Sequence, residues 1–312
     1  MRDTDILVEN FSPGVMARLG LDYGTLAKIN PQLVMTSISN FGQTGPYRDF
    51  KSSDLISYAM GGAMNATGVP DMPPLGIARD IVSYEVGYLA VVATMGAYLG
   101  ACRDGVGDHV DVSIFEALNG STDRRDCNLL TYAYTGFTTP RLDPGAFRQA
   151  LSPFGSYLCS DGHVLAGIGL AQWPRFFAAM GKPELSQDPR FQNIFDFTYA
   201  ADVDAVFLEW LATRTKQEAA EAMQGHNIGV TPVNSPEDVA KSPHWRERGF
   251  FVEIDYPVVG KLTYPGAPID ATDAKWVIRR PAPLLGQHNG EVYGQLGYSK
   301  EDLVRLREQG VT

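Results

Sequence analysis

Asp80 is the residue of this sequence best placed to do chemistry. It precedes an apolar run, residues 86–102, whose composition predicts a buried helix. A helix start offers unpaired N–H groups and a partial positive charge, so a carboxylate beside it is held ionised. Such a carboxylate, in a partly dry site, is a nucleophile for an activated acyl group. Capping of the helix is the more ordinary role, and the surrounding residues must decide between the two.

Composition limits the ligands that this chain is built to bind. Of its 312 residues, 44% are hydrophobic and 20% are charged, which is typical of a soluble globular protein. The 26 basic and 36 acidic residues give a net charge of −10, so neither nucleic acid nor an anionic membrane is an expected partner. A polyanionic small molecule stays compatible with this charge wherever a few cations converge.

The cysteines and histidines show neither metal-ligand nor disulfide spacing. The three cysteines lie far apart without a CxxC motif, and the five histidines include no HExxH arrangement. We therefore expect no metal and a reducing, cytoplasmic location. The chain start has no signal-peptide pattern, and the apolar run at 86–102 is short and interrupted by glycines, so a core helix is favoured over a membrane span.

The order of predicted elements indicates an α/β fold. A β-α-β succession at the chain start is typical of a Rossmann-like parallel sheet. Because a sheet that begins on one short strand is incomplete, we expect upstream residues or a partner to complete it. The predicted N-terminal elements are a strand at 6–8, helices at 12–19 and 23–29, a strand at 33–38, a helix at 54–60 and a strand at 110–113.

The sequence changes character after a linker at residues 141–149 that contains proline and glycine. Two strands, at 155–159 and 163–168, follow, and Asp161-Gly162 between them is typical of a type I′ hairpin turn. We predict a large α/β domain made of residues 1–140 and 266–312, with a smaller α+β domain, residues 141–265, inserted between them. Four aromatic residues could line an acyl pocket, although core packing is the favoured role for most of them: Tyr157, Trp173, Phe176 and Phe177.

A series of motifs, taken together, resembles the class III coenzyme A transferases. That group includes formyl-CoA transferase, the carnitine CoA-transferases and the α-methylacyl-CoA racemases. Each motif alone is common, but their combination covers essentially the whole chain in the order of the family. The motifs are residues 9–21, Asn-Pro-Gln-Leu-Val at 30–34, Ser-Asn-Phe-Gly-Gln-Thr-Gly-Pro at 39–46, Asp80, the strand motif at 107–113 and the tail motif at 280–288.

The resemblance implies that Asp80 is the catalytic aspartate. In such transferases the matching carboxylate attacks the acyl-CoA thioester, which gives a mixed anhydride and free CoA thiolate, and CoA then forms a thioester with the acceptor acid. Asp54 matches an acidic position that faces this aspartate, and two facing carboxylates can manage a proton between them. Among the positions that match the CoA groove, Arg18 is the natural partner of a phosphate. Those positions are Asn10, Phe11, Arg18, Leu19 and Lys51.

The favoured function is therefore a transferase that moves CoA from an acyl-CoA to a carboxylic acid. The resemblance implies an interlocked dimer, with itself or with a related subunit, and no tightly bound cofactor. Racemases of the family place a histidine directly before the acid that matches Asp54, and Ser53 lacks that basicity, so an α-methylacyl-CoA racemase is the disfavoured alternative.

A second alternative follows from the chain start. Because the sequence begins after the first strand-helix-strand region of the family, an inactive or partner subunit is also compatible with it. The residues from 141 to 154 contain one glycine, Gly145, so the glycine-rich loop of formyl-CoA transferases is not evident and formyl or oxalyl specificity is not expected.

Overall fold

The computed structural model describes residues 1–76, 80–119, 125–141, 153–192 and 197–312. The strands are β1 (Ile6–Glu9), β2 (Val34–Ser39), β3 (His109–Ser113), β4 (Phe154–Leu158), β5 (His163–Gly167), β6 (Val230–Pro232), β7 (Phe251–Tyr256) and β8 (Gly260–Pro265). The helices are α1 (Val15–Arg18), α2 (Tyr23–Leu26), α3 (Asp54–Met60), α4 (Ile81–Asp104), α5 (Ile114–Asn119), α6 (Arg125–Thr135), α7 (Trp173–Ala179), α8 (Pro189–Gln192), α9 (Ala200–Leu211), α10 (Lys216–Gln224), α11 (Pro236–Lys241), α12 (Pro243–Glu247), α13 (Asn289–Gln295) and α14 (Lys300–Glu308).

A three-stranded parallel sheet in the order β1-β2-β3 organises the N-terminal part. The central strand β2 is buried along nearly its whole length, as expected for a parallel strand covered on both faces. Gly107 allows β3 to enter beside β2, because a Cβ at this position would lie 1.9 Å from the carbonyl oxygen of Leu33. The predicted α/β class with a parallel sheet is confirmed.

The short helices of this part were predicted with unequal success. α3 begins and ends where the sequence predicted it, at residues 54 and 60. The helix predicted at 12–19 is shorter, because Gly14 precedes α1 in a left-handed conformation with φ of 82°. No side chain caps α1. The chain therefore bends at Gly14 instead of continuing as helix.

The long helix α4 is far less buried than predicted. It is attached to the sheet by a stripe of small and branched residues, and the hydroxyl oxygens of Thr36 and Thr94 lie 2.6 Å apart beneath it. Its other apolar side chains face outward, with 72% of the surface of Tyr88 and of Val92 exposed. The prediction of a buried helix was wrong, because apolar composition indicates that a surface will be covered without showing that the same chain covers it.

A membrane-spanning role for α4 is weakly supported by its sequence. By length and composition alone the helix is apolar enough to cross a bilayer, and 22% of its most apolar window is buried inside the chain. Its stripe toward β2 packs on a sheet, which is a feature of a helix in a globular domain. The buried stripe consists of Val82, Val86, Ala90, Thr94 and Ala101.

The next part of the chain builds a separate core. The strands β4, β5 and β6 form an antiparallel sheet, against which α7, α9 and α10 pack. The four aromatic residues predicted to lie in a core are buried there, and the hydroxyl of Tyr157 donates to the carboxylate of Asp204 at 2.6 Å. The indole N–H of Trp173 is buried without a hydrogen-bond partner among the described residues.

The hairpin between β4 and β5 is confirmed, but its turn was assigned wrongly. The N–H of Cys159 donates to the carbonyl of Gly162 at 2.8 Å, which makes Ser160 and Asp161 the central residues. Neither has the positive φ that a type I′ turn requires at both positions. The Asp-Gly pair thus lies one residue out of phase with the turn.

The last part of the chain, residues 266–312, contains no buried residue in the structure as described. The two-stranded sheet of β7 and β8 precedes it, and α13 and α14 lie within it. Of the predicted linker at 141–149 and the loop around Gly145, only Arg141 lies within the described residues. The division into a domain of residues 1–140 with 266–312 and a domain of residues 141–265 therefore stays a prediction.

Candidate functional site

A cavity of about 530 Å³ lies where the chain leaves the carboxyl ends of β1 and β2. In parallel sheets this edge is where ligands bind, because loops and helix starts converge there. The far wall is formed by the first turns of α4, through Ser83, Val86 and Gly87. Four of the five residues predicted to bind CoA line this cavity, namely Asn10, Phe11, Arg18 and Lys51. The fifth, Leu19, is exposed and is not part of the lining.

The loop after β1 is held in place by Glu9. This side chain is 8% exposed, and its carboxylate accepts a hydrogen bond from the N–H of Phe11 at 2.8 Å. A charge-assisted bond of this kind fixes the two residues that follow the strand. Asn10 and Phe11 are thereby presented to the cavity, with about half of the Phe11 side chain exposed.

The loop that carries Lys51 is supported by aromatic packing. The ring of Phe41, which is buried, contacts the rings of Tyr47 and Phe50 at centroid distances of 5.9 and 6.2 Å. At the loop start, the N–H of Gln43 donates to the carboxylate of Asp111 on β3 at 2.9 Å. These contacts position a loop that has no regular secondary structure.

The cavity concentrates positive charge in an acidic protein. Arg18 and Lys51 are joined there by Arg48, a residue that the sequence analysis did not single out. Asp49 is the carboxylate of the lining. The convergence of three cations fits the sequence-based expectation of a polyanionic ligand. No local motif marks Arg48, because its place in the cavity depends on how the loop folds back onto α1.

Asp54 meets the first turn of α4 through Ser83. The Ser83 hydroxyl lies 3.1 and 3.3 Å from the two carboxylate oxygens of Asp54, to which it donates. Ser83 lies in the first turn of α4, three positions after Asp80, which is the N-cap residue of the same helix. The structure thus brings Asp54 to the end of α4 at which Asp80 stands, and Ser83 itself lines the cavity.

Asp80 occupies an unusual backbone position. It is the N-cap residue of α4 with φ of 66°, a left-handed conformation that costs energy for any residue with a Cβ. Its side chain caps no N–H group of the helix, so the capping role considered for it is not what the geometry shows. Asp80 is exposed, and Asp54 is half-buried. Both lie beside the cavity, but neither lines it. Backbone strain of this kind is concentrated at functional sites.

Metal ligation has little support in the described part of the chain. No group of three or more histidine, cysteine, aspartate or glutamate residues is arranged there to hold an ion. His109, which borders a smaller cavity, instead bonds to the hydroxyl of Ser37 at 2.9 Å and stacks on Tyr23. Cys102 and Cys159 are free thiols.

Comparison with known proteins gives one consistent family. The sequence model of CoA-transferase family III matches residues 1–289. A formyl-CoA:oxalate CoA-transferase of Streptomyces avermitilis is 30% identical, over 100% of this chain and 79% of the relative. The bile acid CoA-transferase BaiK of Clostridium scindens is 31% identical, over 99% and 72%. A succinate–glutarate CoA-transferase of Agrobacterium fabrum is 28% identical, over 95% and 73%.

A solved structure extends the comparison to the fold. The crystal structure of a CAIB/BAIF family protein from Brucella suis superimposes with a TM-score of 0.76. The sequences are 27% identical, and the match covers 95% of this chain and 76% of the other.

Proposed function

Because this chain belongs to CoA-transferase family III, we propose that it moves CoA from an acyl-CoA thioester to a carboxylic acid, with Asp80 as the covalent nucleophile. The names of the three relatives quoted above include an oxalate, a bile acid and a succinate–glutarate pair of substrates. They share carboxylic acids as the groups that exchange CoA, and this is the substrate class that we propose for the present chain.

The cavity at the carboxyl ends of β1 and β2 is the observation that carries this proposal. It is lined by Arg18, Arg48 and Lys51, which suit the phosphates of CoA, and by Phe11, whose ring suits an adenine or a pantetheine arm. It ends against the first turn of α4, next to Asp80. A CoA thioester bound there would direct its long arm toward that helix start.

The proposed reaction needs a nucleophile that is also a leaving group. The carboxylate of Asp80 attacks the thioester carbonyl, the carbon–sulfur bond breaks, and the products are an aspartyl mixed anhydride and CoA thiolate. The acceptor acid then replaces the donor acid at the Asp80 carboxyl. Finally the thiolate attacks the acyl carbon of the acceptor, which forms the new thioester and regenerates the Asp80 carboxylate. No net proton, water or redox partner is consumed.

Asp54 is the second carboxylate that we place in the reaction. Its contact with Ser83 puts a negative charge at the helix end where the anhydride would form. We propose that it manages the protonation of the incoming and departing acids. The residue before it, Ser53, is exposed and is no substitute for the histidine of the racemases, so the structure adds nothing in favour of racemisation.

Kinetics of Asp80 variants test the assignment. Asp80→Asn removes the nucleophilic oxygen with little change in shape, and we expect kcat for CoA transfer between two acids to fall by at least about 10³-fold. Asp71→Asn, an exposed aspartate near the same loop, serves as the matched control and is expected to stay within about twofold of wild type. Transfer by Asp80→Asn at more than a tenth of the wild-type rate would refute the role of Asp80.

We also propose that a second copy of the chain covers the exposed side of α4. Several large apolar residues along this helix are solvent-exposed in the single chain, which is the pattern of a subunit interface. The proposed assembly is a dimer in the cytoplasm, and a related subunit in place of the second copy is the other outcome of the test. The exposed residues include Tyr84, Tyr88, Val91, Val92, Met95 and Leu99.

A charge placed on this surface tests the assembly. Val92→Lys is expected to convert the dimer to a monomer in sedimentation or light-scattering measurements, because a buried unpaired lysine is costly. Val258→Lys is the matched control, since Val258 is 73% exposed, against 72% for Val92, and lies at the turn between β7 and β8. The proposal would be contradicted if the wild-type protein were a monomer in these measurements. It would also be contradicted if Val92→Lys still formed a dimer.

A further inference from the structure

We infer that Arg48 and Arg18 form a two-arginine clamp for a phosphate group of CoA, and that Gly14 leaves the space in which the clamp closes. The inference rests on the proposed function and adds to it a residue that recognises the nucleotide end of the substrate. It concerns the part of the cavity away from Asp80, where no bond is made or broken.

The two guanidinium groups converge on one point of the structure. If Gly14 carried a Cβ, that atom would lie 3.3 Å from Nη2 of Arg48 and 3.8 Å from Nη1 of Arg18. Arg18 is the last residue of α1 and Arg48 comes from the loop that follows β2, so the fold brings together positions 30 residues apart. Both arginines also line the 530 Å³ cavity.

The positive charges of Arg18 and Arg48 have no counterion among the residues that the structure describes. Neither arginine takes part in any ion pair within the described part of the chain. The Nε of Arg48 is buried and has no hydrogen-bond partner there. Two cations that share a space repel each other, and a buried donor without an acceptor is costly, so the arrangement is completed by an anion.

Two of the carboxylates that border the same region, Glu9 and Asp22, accept hydrogen bonds from other groups. Glu9 and Asp22 lie with Arg48 around a neighbouring cavity of about 160 Å³. Glu9 accepts from the N–H of Phe11, and Asp22 accepts from the N–H and hydroxyl of Thr25. Asp49, which also lines the larger cavity, is exposed and makes no ion pair among the described residues.

A phosphate group fits this clamp better than a carboxylate does. Guanidinium groups bind phosphate through paired, parallel hydrogen bonds, and two of them can engage different oxygens of the same group. A carboxylate offers two oxygens in one plane, whereas a phosphate offers three or more around a tetrahedral centre. CoA supplies such groups as its 3′-phosphate and its diphosphate, and the acyl and acceptor acids do not.

Gly14 is essential to this geometry for two reasons. Its φ of +82° disfavours any residue with a Cβ, and the Cβ would press on the tip of Arg48 at 3.3 Å. Gly20 offers a matched comparison, because its φ is +70° but nothing lies within 4 Å of the point that a Cβ would occupy there. Alanine at either position thus strains the backbone, while alanine at position 14 alone disturbs the arginines.

Calorimetric binding of CoA tests the clamp. Arg48→Gln is expected to weaken CoA binding by about 10- to 100-fold, the usual effect of losing a hydrogen-bonded charge contact. The KM for acyl-CoA should rise by the same factor. Gly14→Ala should weaken binding at least about fivefold more than Gly20→Ala, since both carry backbone strain and only one contacts the clamp.

Comparing the binding of CoA with that of dephospho-CoA, which lacks the 3′-phosphate, shows which phosphate the two arginines bind. If Arg48→Gln weakens CoA but not dephospho-CoA, the clamp holds the 3′-phosphate. If both are weakened alike, it holds the diphosphate. Binding of CoA by Arg48→Gln within twofold of wild type, or equal effects of the two glycine substitutions, overturns the clamp. That result would leave the proposed transferase untouched, whereas a wild-type protein that binds no CoA would overturn both proposals.

Discussion

The region from β1 to α5 and the region from β4 to β6 place their apolar residues differently. The second region encloses one continuous aromatic core, in which Phe176, Phe177 and Phe207 are wholly buried. The first has two small buried clusters, an open cavity and a long helix whose apolar side chains face outward. The comparison shows that the second region buries its apolar residues within the chain, while the first, which carries the candidate site, leaves many of them exposed.

The same contrast applies to charge. In the second region Thr215 with Glu218 forms a capping box, and Lys216 forms an ion pair at 2.6 Å with Asp238 on α11, the helix that follows β6. In the first region Arg18 and Arg48 have no described ion pair, and Asp80 has a strained backbone. Unmatched charge and strain are features that a ligand can satisfy.

The largest difference is expected from removing a ring of the aromatic core. Phe207 contacts the rings of Tyr157 and Phe176 at 5.0 and 5.1 Å, and Phe207→Ala is expected to lower the free energy of unfolding by about 3–5 kcal/mol. The neighbouring Leu208 is 41% exposed, so Leu208→Ala is expected to cost less than about 1 kcal/mol. Urea unfolding measures both.

Phe207→Leu provides a milder substitution in case Phe207→Ala does not fold. It keeps most of the side-chain volume, and its destabilisation is expected to lie between those of the other two substitutions. Equal losses of unfolding free energy for Phe207→Ala and Leu208→Ala would show that burial in the aromatic core does not stabilise this region.

An intermediate effect is expected where α4 is attached to β2. The hydroxyl of Thr94 donates to the carbonyl of Ala90 at 2.6 Å, which leaves the hydroxyl of Thr36 as the donor to Thr94. Thr94→Val deprives a buried hydroxyl of its partner, and we expect a loss of about 1–3 kcal/mol in the free energy of unfolding.

A double-mutant cycle isolates this contact. The double variant Thr36→Val with Thr94→Val is expected to be no less stable than Thr94→Val alone, because two methyl groups replace two paired hydroxyls. Strictly additive losses in the two single variants would mean that the hydroxyl pair does not attach the helix to the sheet.

The smallest effect concerns acid stability at the ion pair between the second region and α11. The Lys216 ammonium and the hydrogen bonds from Ser235 hold the pKa of Asp238 far below its ordinary value of 3.8. Because this pKa is lower in the folded chain, the stabilisation is present at neutral pH and is lost as the pH falls below about 4. The stability advantage of wild type over Asp238→Asn should therefore be constant from pH 6 to about pH 5 and shrink as the pH falls from about 4 toward 2 in denaturant titrations.

Asp302→Asn is the control for that pH dependence. Asp302 has the same capping arrangement with Ser299, and its pKa is also lowered, first by the Ser299 hydroxyl, but its ion pair is local to the exposed helix α14. Its substitution should alter global unfolding less. A pH-independent difference between wild type and Asp238→Asn would contradict the assigned cause.

Local features of this fold could be predicted from the sequence, and long-range ones could not. The bounds of α3 follow from residues close in the chain, and they were predicted. The contact between Asp54 and Ser83 joins residues 29 positions apart, and the place of Arg48 beside Gly14 depends on a loop without regular structure. Nothing in the local sequence specifies such contacts.

The two larger errors have physical causes. The apolar sequence of α4 is the same whether its own chain or a second one covers it, so burial within the chain could not be inferred. The helix predicted at 12–19 begins only after Gly14, because the sequence does not reveal which conformation a glycine adopts. The family resemblance identified four lining residues of the cavity, which spacing alone did not.

Trapping the acylated enzyme tests the role of Asp80 most directly. Wild-type protein is mixed with an acyl-CoA in the absence of an acceptor, treated with hydroxylamine and digested with trypsin, which releases residues 80–103 as one peptide. We expect mass spectrometry to find a hydroxamate on Asp80 in this peptide, formed only when the acyl-CoA is present. A protein that transfers CoA normally but carries no label on Asp80, or carries it on another carboxylate, would contradict it.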